Sequence, residues 1–120
     1  MGGWTVSSFR EFTDSDYEVS IMKIRFNNYA KKVGTRGNTD YYQWKVFVNE
    51  DDDVLNKIEH IRYLLHQTFP NPLRMVNDRK TKFALTSSGW GSFMIIITIR
   101  FKDGTEEETQ YFLDLNKRWP

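Results

Sequence analysis

From residue 93 to 101 the chain alternates without a break, with Phe93, Ile95, Ile97, Ile99 and Phe101 on one side and Met94, Ile96, Thr98 and Arg100 on the other. A two-residue period sends successive side chains to opposite faces of a strand, so one face of this strand is apolar and needs a covering layer. Asp103-Gly104 follows and predicts a hairpin with a type I′ turn, which takes positive φ at both central positions. The chain then returns over Glu107 to Leu115 with Tyr111, Leu113 and Leu115 on the apolar side. A hairpin with one apolar face is half of a two-layer protein.

The other half is also written in strands. Met22, Ile24 and Phe26 alternate with Lys23, Arg25 and Asn27 within a strand read over Tyr17 to Tyr29, and Lys31 to Thr39, carrying Gly34 and Gly37, reads as a loop. Trp44, Val46 and Val48 form one face of the next strand, and Phe47 on the other face predicts partial cover there too. After the acidic run Glu50-Asp51-Asp52-Asp53, residues Val54 to Ile58 fit either one helical turn or an acidic turn in water. Glu59 to Leu65 points Ile61, Tyr63 and Leu65 inward, Arg74 to Val76 suits a short edge strand, and Lys82 to Ser87 suits another strand. Six or seven strands are legible and no long helix. The fold class is therefore all-β, an immunoglobulin-like β-sandwich of about 7–8 antiparallel strands. One domain is expected over residues 17–116, with 1–16 an N-terminal lead-in and 117–120 the C-terminal end.

Charge and composition exclude several function classes. Seventeen Lys and Arg stand against sixteen Asp and Glu, a net charge of +1, and the basic pairs are scattered. A dedicated nucleic-acid binder needs a concentrated basic face to displace counterions, so no direct nucleic-acid partner is expected. There is no cysteine, which removes disulfides, thiolate metal sites and thiol nucleophiles and fits a cytoplasmic protein, or a nuclear one in a eukaryote. No apolar leader precedes Asp14, and the longest apolar run, Phe93 to Ile97, is too short to span a bilayer, so no membrane partner is expected. Two histidines, His60 and His66, lie six apart without a metal-ligand pattern, and no serine sits in a nucleophile turn. No catalytic residue, metal or cofactor is predicted.

Two loops hold the chemistry that remains. The first, His66-Gln67-Thr68-Phe69-Pro70-Asn71-Pro72, is stiffened by two prolines; the second, Ser88-Gly89-Trp90-Gly91-Ser92-Phe93, places glycines on both sides of an indole. Gly89 and Gly91 admit close backbone approach or positive φ. Phe69 and Trp90 could wall a flat slot, with the Thr68 hydroxyl and backbone N–H groups at Trp90 and Gly91 as polar contacts. His66 stands on the same side of an extended chain as Thr68 and could orient its hydroxyl. The residues alone leave a second reading equally open, in which both rings cap the core at one end of the sandwich.

Leu65-His66-Gln67-Thr68-Phe69-Pro70-Asn71-Pro72 with Arg74 and Phe83, followed by Gly89-Trp90-Gly91-Ser92-Phe93, resembles the YEATS domain family. Its pattern is a Leu-His-x-Ser/Thr-Phe strand end and a Gly-Tyr/Trp-Gly/Ala-x-Phe loop. Trp44-Lys45-Val46-Phe47-Val48 is similar to an upstream strand of the family, so the likeness spans about residues 20 to 115. The resemblance implies an immunoglobulin-like sandwich that reads acetyl-lysine and flat acyl-lysines such as crotonyl-lysine, chiefly on histones. It further implies that Phe69 and Trp90 sandwich the acyl amide, that Thr68 bonds the lysine amide nitrogen with support from His66, and that the Trp90 N–H bonds the acyl carbonyl. Gly89 and Gly91 shape the rim, and Tyr41 or Tyr42 supplies a further aromatic. Asn49-Glu50-Asp51, where a glycine and basic residues are common in eukaryotic members, makes the chain look more like the bacterial branch, which accompanies other signalling or defence modules. A protein-interaction sandwich that reads no acyl-lysine is the alternative.

Overall fold

A computed structural model describes residues 23–120. The lead-in expected over 1–16 and the part of the first strand expected from Tyr17 to Met22 lie outside the described residues. Seven strands form among those described: β1 (Phe26–Arg36), β2 (Thr39–Val48), β3 (Ile58–Leu64), β4 (Leu73–Val76), β5 (Leu85–Gly89), β6 (Met94–Phe101) and β7 (Glu106–Phe112). They make two antiparallel sheets with strand orders β1-β2-β5 and β4-β3-β6-β7, the sandwich that the alternating apolar faces call for. β4 is an edge strand, as its proximity to Pro72 predicts.

The core is built from the inward positions already named. Trp44, Val46 and Val48 of β2 meet Ile61 and Tyr63 of β3 and Ile95, Ile97, Ile99 and Phe101 of β6, all buried. Burying these side chains at roughly 1.5–3 kcal/mol each is what holds the two sheets together. Two polar groups inside are satisfied. The Tyr63 hydroxyl donates to the Phe83 carbonyl at 2.6 Å, and burial pushes its ionisation far up. Asn28 donates to the Asp114 carbonyl at 2.9 Å and accepts from the Tyr111 hydroxyl at 2.6 Å, tying β1 to the end of β7. Between β2 and β3 one helical turn forms, α1 (Asp52–Leu55), two residues earlier than the Val54 to Ile58 reading and partly within the acidic run itself, because Asp51 caps it by accepting from the Val54 N–H at 3.2 Å. No helix among the described residues is long and apolar enough to cross a membrane.

Three local readings need correction. Lys31 to Thr39 is not a loop: β1 runs on to Arg36 and pairs with β2 down to Arg36↔Thr39, with an irregularity between Lys32 and Gly34. Gly37, at φ 59°, opens a two-residue turn with Asn38, and the β1 half of the ribbon beyond the core is exposed on both faces, so no apolar alternation marks it as strand. The Asp103-Gly104 hairpin forms, but only Gly104 has positive φ. Gly104 N–H bonds the Phe101 carbonyl and Phe101 N–H bonds the Thr105 carbonyl, a three-residue loop in place of type I′. β5 starts at Leu85, because Lys82 and Phe83 take left-handed φ of 62° and 57° and bend the chain inward around the buried Phe83.

Candidate functional site: an aromatic cleft at one end of the sandwich

The first loop is tied at every turn. β3 ends at Leu64, and the next N–H, from buried Leu65, bonds the Pro72 carbonyl at 2.9 Å and closes the loop at its base. Phe69 N–H bonds the His66 carbonyl at 3.0 Å. Arg74 of β4 reaches back with Nε 2.6 Å from the Asn71 carbonyl and Nη2 2.9 Å from the Pro70 carbonyl. Prolines remove donors from the loop, and a guanidinium occupies its acceptors.

Side chains continue the tie into the core. The Phe69 ring lies 5.2 Å from Phe93 and 6.3 Å from Trp44 between centroids, tilted and edge-on, and Phe93 meets His66 at 6.4 Å. These are favourable ring geometries, and buried Trp44 fixes their base. His66 Nδ1 is 3.0 Å from Thr68 Oγ1 and 3.2 Å from the Thr68 backbone nitrogen. A backbone N–H can only donate, so Nδ1 is the unprotonated, accepting nitrogen. The Thr68 hydroxyl then donates to the same nitrogen, sharing its one lone pair with the backbone N–H, and its own oxygen lone pairs are left free. It is a preset acceptor for an amide N–H.

The second loop contrasts with this. β5 ends with Gly89 opposite Tyr42, and the chain turns away through Trp90, Gly91 and Ser92 before β6. Neither Gly89 nor Gly91 uses positive φ. A Cβ at Gly89 would stand 3.5 Å from Phe69 Cζ, while one at Gly91 would meet open space. The absent side chain of Gly89 is therefore room beside the Phe69 ring, and no backbone strain calls for glycine at either position. Trp90 is 66% exposed.

Between the loops lies a cleft of about 500 Å³ lined by Tyr41, His66, Thr68, Phe69, Gly89, Trp90 and Gly91, with Pro70, Ser88, Ser92 and Phe93 completing its walls. That volume suits a small organic group. Seven of the eight residues singled out from sequence thus share one cavity. Tyr42, the eighth, turns toward the core and packs against it, while Tyr41, one position away on the opposite face of β2, reaches the cleft. Phe69 and Trp90 line the same space, but the Phe69 ring contacts Trp44 and Phe93 rather than the indole. Phe93 and Ser88 were legible as loop members but not as walls. The signal for Phe93 was its place as the first apolar residue of the β6 alternation, which aims it inward. Among the described residues no group of histidines and carboxylates is arranged to hold a metal ion.

The family model of the prokaryotic YEATS domain matches residues 42–114. The AF-9 homolog protein of Eremothecium gossypii is 32% identical over 96 residues, covering 74% of this chain and 45% of that protein, so the chain spans under half the length of that relative. The solved Yaf9 YEATS domain recognizing an H3K122suc peptide is 28% identical with a TM-score of 0.60, over 79% of this chain and 78% of the other. The Yaf9 YEATS domain bound to H3K27ac is 27% identical with a TM-score of 0.57 over the same shares.

Proposed function

The chain belongs to the YEATS domain family, and from that premise we propose that it is a non-enzymatic module that recognises acylated lysine in its aromatic cleft. The observation that carries this reading is the Thr68 hydroxyl, held by His66 as an acceptor beside the Phe69 ring. A lysine amide N–H is the partner such an oxygen takes. Phe69 and Trp90 border the flat acyl amide, the Trp90 backbone N–H donates to its carbonyl, Tyr41 supplies the further aromatic wall, and Gly89 and Gly91 leave the rim open. The acetylated and succinylated peptides bound by the Yaf9 domains support an acyl-lysine ligand of this class.

Magnitudes place the affinity. A crotonyl-sized chain buries about three carbons beyond the amide, worth roughly 2 kcal/mol. Ring contacts and one or two net hydrogen bonds add about 1 kcal/mol each. After the cost of ordering a peptide, a Kd on the order of 10 μM to 1 mM is expected, useful where neighbouring modules add avidity.

NMR titration with acetyl-, butyryl- and crotonyl-lysine peptides tests this reading. Shifts confined to residues 66–69 and 89–92 are expected at millimolar peptide, and their absence with all three would overturn it. One observation favours a second reading, a protein-interaction sandwich. Leu64, Leu73, Met75, Met94 and Phe112 are exposed on the β4-β3-β6-β7 sheet, with Leu64 opposite Leu73 and Met94 opposite Phe112. A partner mapping there, with acyl peptides inert, would favour it.

A further inference from the structure

The cleft does not end at its aromatic walls. A second concavity of about 340 Å³, lined by Val33, Gly34, Thr35, Arg36, Tyr41 and Ser88, shares Tyr41 and Ser88 with the first. The strand register identifies the face these shared residues lead onto. Tyr41 pairs with Gly34, Gln43 with Lys31 and Ser88, Lys45 with Tyr29 and Thr86, and Thr39 with Arg36. Side chains alternate along β2, so Thr39, Tyr41, Gln43 and Lys45 share the outer face of the β1-β2-β5 sheet with their cross-strand partners.

That face is cationic. Arg36 stacks over the Tyr41 ring at 5.3 Å, and Lys31 and Lys45 sit over the Trp119 ring at 4.9 and 5.4 Å. Stacking on a ring leaves each charge free to meet an anion. None of the three forms a salt bridge among the described residues. Asp40 is the one carboxylate in β1, β2 and β5, and it is on the opposite face, bonded to the Thr35 hydroxyl at 3.0 Å and paired with Lys32 at 3.3 Å. From Tyr41 to Lys45 is about 13 Å along the strand, a span that about four residues of extended peptide cover.

We propose that this face reads the sequence beside the acylated lysine, and that the preferred flank is acidic. The proposal rests on the acyl-lysine reading of the cleft and adds the partner's chemistry: Asp or Glu within the few residues that leave the slot over Ser88 and Tyr41. Arg36 meets the nearer carboxylate, and Lys31 and Lys45 meet the farther one.

Acetyl-lysine peptides with the same length and acyl group, flanked by Asp and Glu, by Ser and Gln, or by Lys and Arg, separate the possibilities. Two or three exposed ion pairs predict that the acidic flank binds roughly tenfold tighter than the neutral one at low salt. The advantage should collapse in about 1 M salt, where the Debye length is about 3 Å. Arg36→Gln and a Lys31→Gln/Lys45→Gln double variant, each checked for an unchanged thermal midpoint, should each lose a severalfold share of the acidic preference. If all three peptides bind alike, or the basic flank binds tightest, the flank proposal is overturned and the slot stands. If none binds, the acyl-lysine reading itself has failed.

Discussion

The two sides of the cleft are made in opposite ways. The His66–Pro72 side is fastened by backbone hydrogen bonds, by the Arg74 guanidinium on two carbonyls and by a half-buried ring packed against the core cluster. The Trp90 side has no hydrogen bond at Trp90, Gly91 or Ser92 among those of the described residues, and its indole stands mostly in solvent. One wall is preorganised, so an acceptor such as the Thr68 hydroxyl needs no reordering when a ligand arrives. The other is free to settle onto ligands of different length. On the acyl-lysine reading, a cleft of this kind would fix the amide tightly and the acyl chain loosely.

Substituting the two rings is the strongest way to break that contrast. Phe69→Ala removes a half-buried ring that contacts Trp44 and Phe93, and should cost about 2–3 kcal/mol of stability, below the range for a fully buried phenylalanine. Trp90→Ala should change stability by no more than about 0.5 kcal/mol, as exposed positions do. Both should abolish acyl-peptide binding. Urea unfolding and NMR titration on the same samples read the two effects separately, and equal stability losses would mean that the walls are not different in kind.

Gly89→Ala sharpens the comparison from the space between the walls. Its φ is compatible with alanine, and the added methyl meets only the Phe69 ring edge at an ordinary contact distance. Stability should hold or rise by about 0.5 kcal/mol through a less flexible unfolded chain. Affinity should fall severalfold, because the methyl occupies space that a ligand would use. A loss of stability would show that glycine is required there by the backbone.

Much of this was legible in residue order, for reasons particular to each region. The β6 alternation, the inward face of β3 and the cleft loops follow from local periodicity and from residue types that have few other uses. The β1–β2 ribbon was missed because a strand pair projecting past the core buries neither face, which leaves Gly37-Asn38 as its single local signal. Tyr41 and Tyr42 were left unseparated although the period of β2 separates them: Tyr42 stands two residues from buried Trp44 and shares its inward face, which leaves Tyr41 on the outer one. The role of Arg74 was invisible, since a side chain that bonds carbonyls four and three residues behind it leaves no mark in the pattern.

The contrast between fastened and unfastened groups recurs within β7, where it gives the smallest expected effects and the most specific signs. Glu106 accepts from Arg62 and Arg100 at 2.9–3.1 Å, and these donors hold its carboxyl down to about 2. Its neighbour Glu107 points the other way, and desolvation raises its carboxyl above the usual value. A depressed folded value means that Glu106 stabilises the fold above the ordinary carboxylate range. That contribution drains away as pH falls from about 4.5 toward about 2. A raised value means that Glu107 is penalised at neutral pH and relieved as pH falls through the same range. Glu106→Gln should therefore lower the thermal midpoint at pH 7 and flatten its acid decline, and Glu107→Gln should raise the midpoint at pH 7 with a gain that vanishes in acid. Shifts of the same sign at pH 7 would show that the inward turn of Glu107 carries no desolvation penalty. An inward carboxylate kept at such a penalty on an edge strand is itself a device against edge-to-edge pairing, so Glu107→Gln should also increase self-association at high concentration.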